Sequence, residues 1–262
     1  VENYPGFPDG IQGPELMEKM KAQAERFNVR IIYDNVKKIN FSSNPYEIMV
    51  GDSVLKSETI IIATGASAKW LNLPSETKLI GKGISACATC DGFFFKDKQV
   101  VVVGGGDTAM EEAIFLTKFA EQVTIIHRRD KLRASKIMQE RVTSNPKINF
   151  IWDVVVKEIL GDEKVEGVIL KNLVTEKLST LPCDGIFMGI GHNPNTEIFR
   201  GKIDMDELGY IIPHNHTNTN IEGIFVAGDV HDKRYRQAIT AAALGCQAAI
   251  DAEKYLEENL IK

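Results

Sequence analysis

Val100-Val101-Val102-Val103-Gly104-Gly105-Gly106-Asp107-Thr108-Ala109 reads as a buried strand running into the glycine pattern G-x-G-x-x-A. Each small residue has its own physical reason. Gly104 permits the tight turn, Gly106 lets the backbone approach a pyrophosphate, and Ala109 lets the following helix pack closely on the strand. The helix start then offers amide donors and positive potential to phosphates. A glycine set alone is a weak signal. Here the pattern predicts a helix over 108–119 and a second strand over 123–127, and strand, crossover helix and strand in that order give a parallel pair.

The tip of the second strand selects the dinucleotide. A site for NAD places an acid about 20 residues after the glycines to hold the ribose 2′-hydroxyl. This chain instead has His127-Arg128-Arg129 and then Arg133. Planar guanidinium groups suit a 2′-phosphate, so NADPH is the expected donor. The plainer alternative is a solvated basic face, partly neutralised by Asp130.

Immediately upstream lies Cys87-Ala88-Thr89-Cys90, followed by Asp91-Gly92. This spacing supports a disulfide that opens and closes, especially at a helix start, where a thiolate is stabilised. The rival is half a zinc site. Structural zinc needs four ligands, and the chain has neither a second C-x-x-C nor a His pair at zinc spacing, so no metal is expected. Cys183 and Cys246 stand alone, as small buried residues, and His214-x-His216 falls in a polar loop. Asp91 reads equally as an acid or base for a thiol and as a turn residue before Gly92. NADPH delivers a hydride and a disulfide accepts two electrons, so a flavin between them is the expected wiring.

Outside this region the pattern predicts a helix over 14–27 and β runs over 29–33, 36–41, 46–50 and 59–63, the last ending in Thr64-Gly65. The same style returns after residue 191, with a strand over 224–227 ending in Gly228-Asp229 and a helix over 238–256. One domain is therefore inserted into another, the outer formed by residues 1–68 and 192–262 and the inner by 69–191. With a net charge of -5 and mixed signs along the chain, a general nucleic-acid partner is not expected. No apolar run approaches the roughly 20 residues that span a bilayer and no signal peptide opens the chain, which sets the expectation of a cytoplasmic protein without a membrane partner.

Taken together these segments resemble the low-molecular-weight thioredoxin reductases, NADPH-dependent flavoprotein disulfide reductases. The likeness rests on Glu2–Phe7, Ala63–Ala66, Cys87–Gly92, Gly104–Ala109 with Glu111-Glu112, His127–Arg129 through Ser135, Gly189–Asn195, Ala227–Val230 and Tyr235–Ala242. It implies an α/β fold with two Rossmann-like domains, the NADPH domain inserted into an FAD domain. It further implies FAD contacts from Asn3, Val36, Thr64, Gly65, Gly228, Asp229, Arg236, Gln237 and Ala238. NADPH contacts would come from Gly104, Gly106, Asp107, Thr108, Ala109, His127, Arg128, Arg129 and Arg133. Cys90 would face the flavin, Cys87 would attack thioredoxin and Asp91 would serve as the acid. A homodimer is implied, as are hinges near 67–74 and 189–195. The family's first FAD-binding strand and glycine turn would lie ahead of Val1, so the outer domain is expected to be N-terminally incomplete. Two rival functions stand beside this one: a related flavoprotein reductase serving another disulfide carrier, and a remnant that binds NADPH without turnover.

Overall fold

The computed structural model describes residue 1 and residues 3–260; Glu2, which opens the Glu2–Phe7 match, and residues 261 and 262 of the outer segment lie outside the described residues. The chain divides into two compact units, residues 1–67 with 193–262 and residues 68–192.

In the second unit, five parallel strands stand in the order Ile84–Ser85, Gly185–Met188, Gln99–Val103, Gln122–Ile126 and Ile148–Ile151. The unbroken valine run has a simple cause. Val100 and Val102 pack against the helices Asp107–Leu116 and Lys136–Thr143, through Met110, Ala113, Met138 and Val142. Val101 and Val103 face the other way, into a core with Val156, Val168 and Leu170 from an antiparallel sheet of Val154–Leu160, Gly167–Asn172 and Leu178–Pro182. A strand covered on both faces has no polar face to alternate with. Cys183 is buried in that second core, and its desolvated thiol is pushed up to about 12, so it stays protonated and inert.

The first unit holds a parallel pair, Ile60–Ile62 with Ile224–Val226, and an antiparallel meander of Val36–Asn40, Tyr46–Val50 and Ser53–Ser57. Alternate residues of its buried strand again serve two faces. Ile224 and Val226 pack with Ile62 and Phe199, while Phe225 and Ala227 meet Ala248 and Ala252 of the long helix Ala238–Leu260. The first helix spans Gly13–Glu25 with proline in its first turn, where the missing N–H costs nothing. Residues 29–33, expected as a strand, form no ladder among the described residues and leave Val29 51% and Tyr33 79% exposed. β-branched residues favour extended backbone, but a strand also needs a neighbouring edge to pair with. No helix among the described residues is long and apolar enough to cross a membrane.

Candidate redox and dinucleotide sites

The sulfurs of Cys87 and Cys90 are bonded, with their Cα atoms 5.3 Å apart. Cys87 caps the short helix Ala88–Asp91, and the Cys90 and Asp91 amides both donate to its carbonyl, at 3.2 and 3.1 Å. The turn thereby holds the two sulfurs in reach of each other. Thr89 Oγ1 lies 3.3 Å from Cys87 Sγ, and a disulfide sulfur carries no proton, so the hydroxyl is the donor. Both cysteines and Asp91 are half-buried.

A 3₁₀ turn, Gly92–Phe95, follows directly. Phe95 anchors it, buried edge-on against Phe187 at 5.1 Å. Its neighbours Phe93 and Phe94 remain 59% and 53% exposed, a pair of large apolar rings in the segment next to the disulfide. Sequence reading missed them, because three consecutive phenylalanines do not reveal which of them the core takes.

The glycine turn begins at Gly104, whose φ of +152° lies in the region that favours glycine; an added Cβ would meet Gly189 O at 2.4 Å and Ala109 Cβ at 2.7 Å. Gly105 is required for a reason its x position in the pattern does not suggest. A Cβ there would lie 2.2 Å from Cε1 of His127, whose ring fills the space beneath the turn. His127 is 5% exposed and sits 3.0 Å from the Lys131 carbonyl through Nε2; burial pushes its pKa down, with Arg133, Arg129 and Arg128 adding to the effect against that hydrogen bond. It is thus a neutral support beneath the turn, whereas Arg128, Arg129 and Arg133 are exposed along the loop above it. Gly106 has open space at its Cβ position, leaving room for a ligand beside the start of the helix.

In the other unit, one cavity is lined by Gly65, Gly228, Asp229, Arg236, Gln237 and Ala238. Asn3 joins this group by donating from Nδ2 to Gln237 Oε1 at 2.8 Å. Val36, in the meander, and Thr64 are not among the lining residues. Thr64 instead donates from Oγ1 to the Asn195 carbonyl at 2.7 Å, and Asn195 returns a bond from Nδ2 to the Thr64 carbonyl at 2.8 Å.

Asp229 supplies the test of fit for a flavin nucleotide. Its Oδ1 is buried without a hydrogen-bond partner among the described residues, an acceptor suited to a ligand hydroxyl. Burial first, then the charge of Asp232, pushes this carboxyl above the ordinary carboxylate range, against the pull of Arg236. A raised carboxyl pKa gives stability that is present below the unfolded value near 4 and lost as pH rises through the folded value. In calorimetry of flavin-free protein, Asp229→Asn should therefore lose less melting temperature than the parent between pH 4 and pH 7. The same variant should retain FAD less well. Equal pH slopes would refute the buried-charge account.

A family model described as pyridine nucleotide-disulphide oxidoreductase matches residues 1–245. The thioredoxin reductase of Streptomyces coelicolor is 54% identical over 258 residues, 98% of this chain and 80% of its own length. That of Rickettsia felis is 52% identical over 263 residues, covering 98% and 85%. The crystal structure of thioredoxin reductase from Streptococcus pyogenes is 45% identical with a TM-score of 0.92, over 98% of this chain and 84% of its own.

Proposed function

Because this chain belongs to the thioredoxin reductases of the pyridine nucleotide-disulphide oxidoreductase family, we propose that it passes two electrons from NADPH by way of FAD to the Cys87–Cys90 disulfide and on to thioredoxin. One observation carries the reading: a closed C-x-x-C disulfide lies next to two exposed phenylalanines, in the same unit as a dinucleotide turn bordered by arginines. Residues 69–191 take the NADPH role, and residues 1–68 with 192–262 the FAD role.

FAD, when bound, supplies the two-electron relay between a hydride donor and a disulfide. The residues of the chain do the rest. Asp229 would accept from a hydroxyl of the flavin chain, and Arg236, Gln237 and Ala238 would help hold the flavin at the start of the long helix, where positive potential suits added negative charge. Gly104–Ala109 cradle the NADPH pyrophosphate, with Arg128, Arg129 and Arg133 at its 2′-phosphate.

Once the disulfide has been reduced to a dithiol, the Cys87 thiolate, steadied by the Thr89 hydroxyl, attacks a sulfur of the thioredoxin disulfide. Cys90 then attacks Cys87 Sγ, which re-forms the internal bond and releases thioredoxin as a dithiol, with Asp91 passing protons to and from the sulfurs. The net change consumes one NADPH, one proton and one thioredoxin disulfide. The working form is a cytoplasmic homodimer, checked by light scattering of the FAD-loaded protein.

NADPH oxidation by FAD-loaded protein should run with thioredoxin and stay near background with a glutaredoxin-like or peroxidase partner domain. Turnover with another carrier alone would overturn the assignment. Phe93 and Phe94 form the apolar part of the thioredoxin face. Removing two exposed rings that become covered in a complex forfeits about 2 kcal/mol or more, so Phe93→Ser with Phe94→Ser should raise KM for thioredoxin at least about tenfold. Ferricyanide reduction by NADPH, which needs no docked protein, should stay unchanged. An unaltered KM would remove the pair from the docking face.

A further inference from the structure

Three consecutive backbone amides at the end of the arginine loop converge on two oxygen atoms of the glycine turn. Arg133 N and Ala134 N both donate to the Gly105 carbonyl, at 2.7 and 3.1 Å. Ser135 N donates to Asp107 Oδ1 at 2.8 Å, and Ser135 Oγ donates to the same atom at 2.9 Å. Asp107 opens the helix Asp107–Leu116, and Ser135 stands directly before the helix Lys136–Thr143. A serine at that position ordinarily turns its hydroxyl back to cap its own helix. Here no side-chain cap is made, because the hydroxyl goes to Asp107 instead. The carboxylate also lies at the positive ends of both helices, which strengthens its hold on the Ser135 amide.

We infer that Asp107 and Ser135 form a clasp that fixes the arginine loop over the glycine turn, and that this clasp, without touching the 2′-phosphate, determines selectivity for a 2′-phosphorylated adenosine. The two chemical requirements of the ligand come from segments far apart in sequence, the turn for the pyrophosphate and the loop for the 2′-phosphate. His127 supports the loop from below through its contact with the Lys131 carbonyl. The clasp closes the loop at its far end. Arg128, Arg129 and Arg133 are exposed side chains, so a wandering backbone beneath them would spread their charge over many positions. A pinned backbone keeps the guanidinium groups together and lowers the ordering cost on binding. Toward the 2′-phosphate Asp107 and Ser135 are positioning residues, and the inference rests on the assignment of the arginines to that phosphate.

The test uses two probes that need no turnover, adenosine 2′,5′-bisphosphate and adenosine 5′-monophosphate, titrated calorimetrically into the FAD-loaded protein. Asp107→Ala should lower the ratio of their affinities about tenfold, the equivalent of one hydrogen bond to a charged group. Ser135→Ala keeps its amide donor and should give a smaller drop. Asp107→Asn keeps the acceptor oxygen and should restore most of the ratio, which a role in helix stability alone would not predict. Equal weakening of both probes in Asp107→Ala, an unchanged ratio, or no rescue by asparagine would each overturn the clasp. Should Asp107→Ala fail to fold, Ser135→Ala against Asp107→Asn decides the matter by the same ratio. Arg128→Ala with Arg129→Ala separates the two levels of the argument. An unchanged ratio in that variant would sink the 2′-phosphate assignment itself, whereas a lowered ratio there beside an intact one in Asp107→Ala sinks only the clasp.

Discussion

Thioredoxin turnover falls by roughly a thousandfold or more in Cys87→Ser, as expected when a covalent nucleophile is removed, while NADPH still bleaches the bound flavin at the parental rate. The division follows from the direction of exchange. A serine hydroxyl at neutral pH does not displace a thiolate from a disulfide, so no mixed disulfide with thioredoxin forms. Nothing in the removal of Cys87 disturbs the glycine turn or the arginine loop. Cys90→Ser should behave differently. Cys87 keeps its hydrogen bond from Thr89, and its thiolate attacks thioredoxin and frees thioredoxin's second thiolate. Forward resolution by Cys90 is lost, so the mixed disulfide opens only by return attack of that thiolate. Once alkylation blocks the freed thioredoxin thiol, a covalent complex should be captured at a higher level than in the parent, visible by mass on a non-reducing gel. In the parent this complex is short-lived, because the amides of Cys90 and Asp91 bind the Cys87 carbonyl and keep the second sulfur at hand. If Cys87→Ser trapped thioredoxin and Cys90→Ser did not, the two sulfurs would have to exchange roles. Loss of flavin bleaching in Cys87→Ser would break the separation of the two half-reactions.

What could be read in the sequence was local. The valine run, Gly104, Gly106 and Ala109 state their own geometry, because a tight turn and a close helix contact each restrict a residue to its own site. Gly105 was different. It is a glycine because of His127, a residue on the next strand, and no local rule places an imidazole beneath that position. Ser135 likewise carries no local signal, and its hydroxyl goes to Asp107 only because the starts of two helices, those after the strands Gln99–Val103 and Gln122–Ile126, come together. Residues 29–33 erred the other way. Their composition favours a strand, but pairing is a property of two segments. The meander strand Ser53–Ser57 was overlooked because its exposure alternates weakly and serine bounds it on both sides. In the flavin cavity, Gly228-Asp229 could be placed at the end of a strand, but the buried Oδ1 of Asp229, unpartnered among the described residues, is a fact of packing that no spacing rule supplies.

The arginine pair gives the second large effect, and it concerns discrimination more than rate. In Arg128→Ala with Arg129→Ala, kcat/KM for NADPH should fall about a hundredfold, while that for NADH changes less than about threefold. Each guanidinium at a phosphate makes charged hydrogen bonds worth about 1.5–3 kcal/mol. Both side chains are exposed, so solvent and salt reduce these values, and about 2.7 kcal/mol for the pair is the fitting expectation. NADH has a hydroxyl where NADPH carries the phosphate, so it loses little. The preference of the parent for NADPH should also shrink as ionic strength rises, and that dependence should be largely absent from the double variant. Arg133 remains as a third cation on the same loop, its backbone amide fixed to Gly105, so discrimination falls without vanishing. Adding Arg133→Ala should bring the two cofactors close to parity. Equal weakening of NADPH and NADH in the double variant would mean that the arginines support the loop or the pyrophosphate, and the donor would then have to be selected elsewhere.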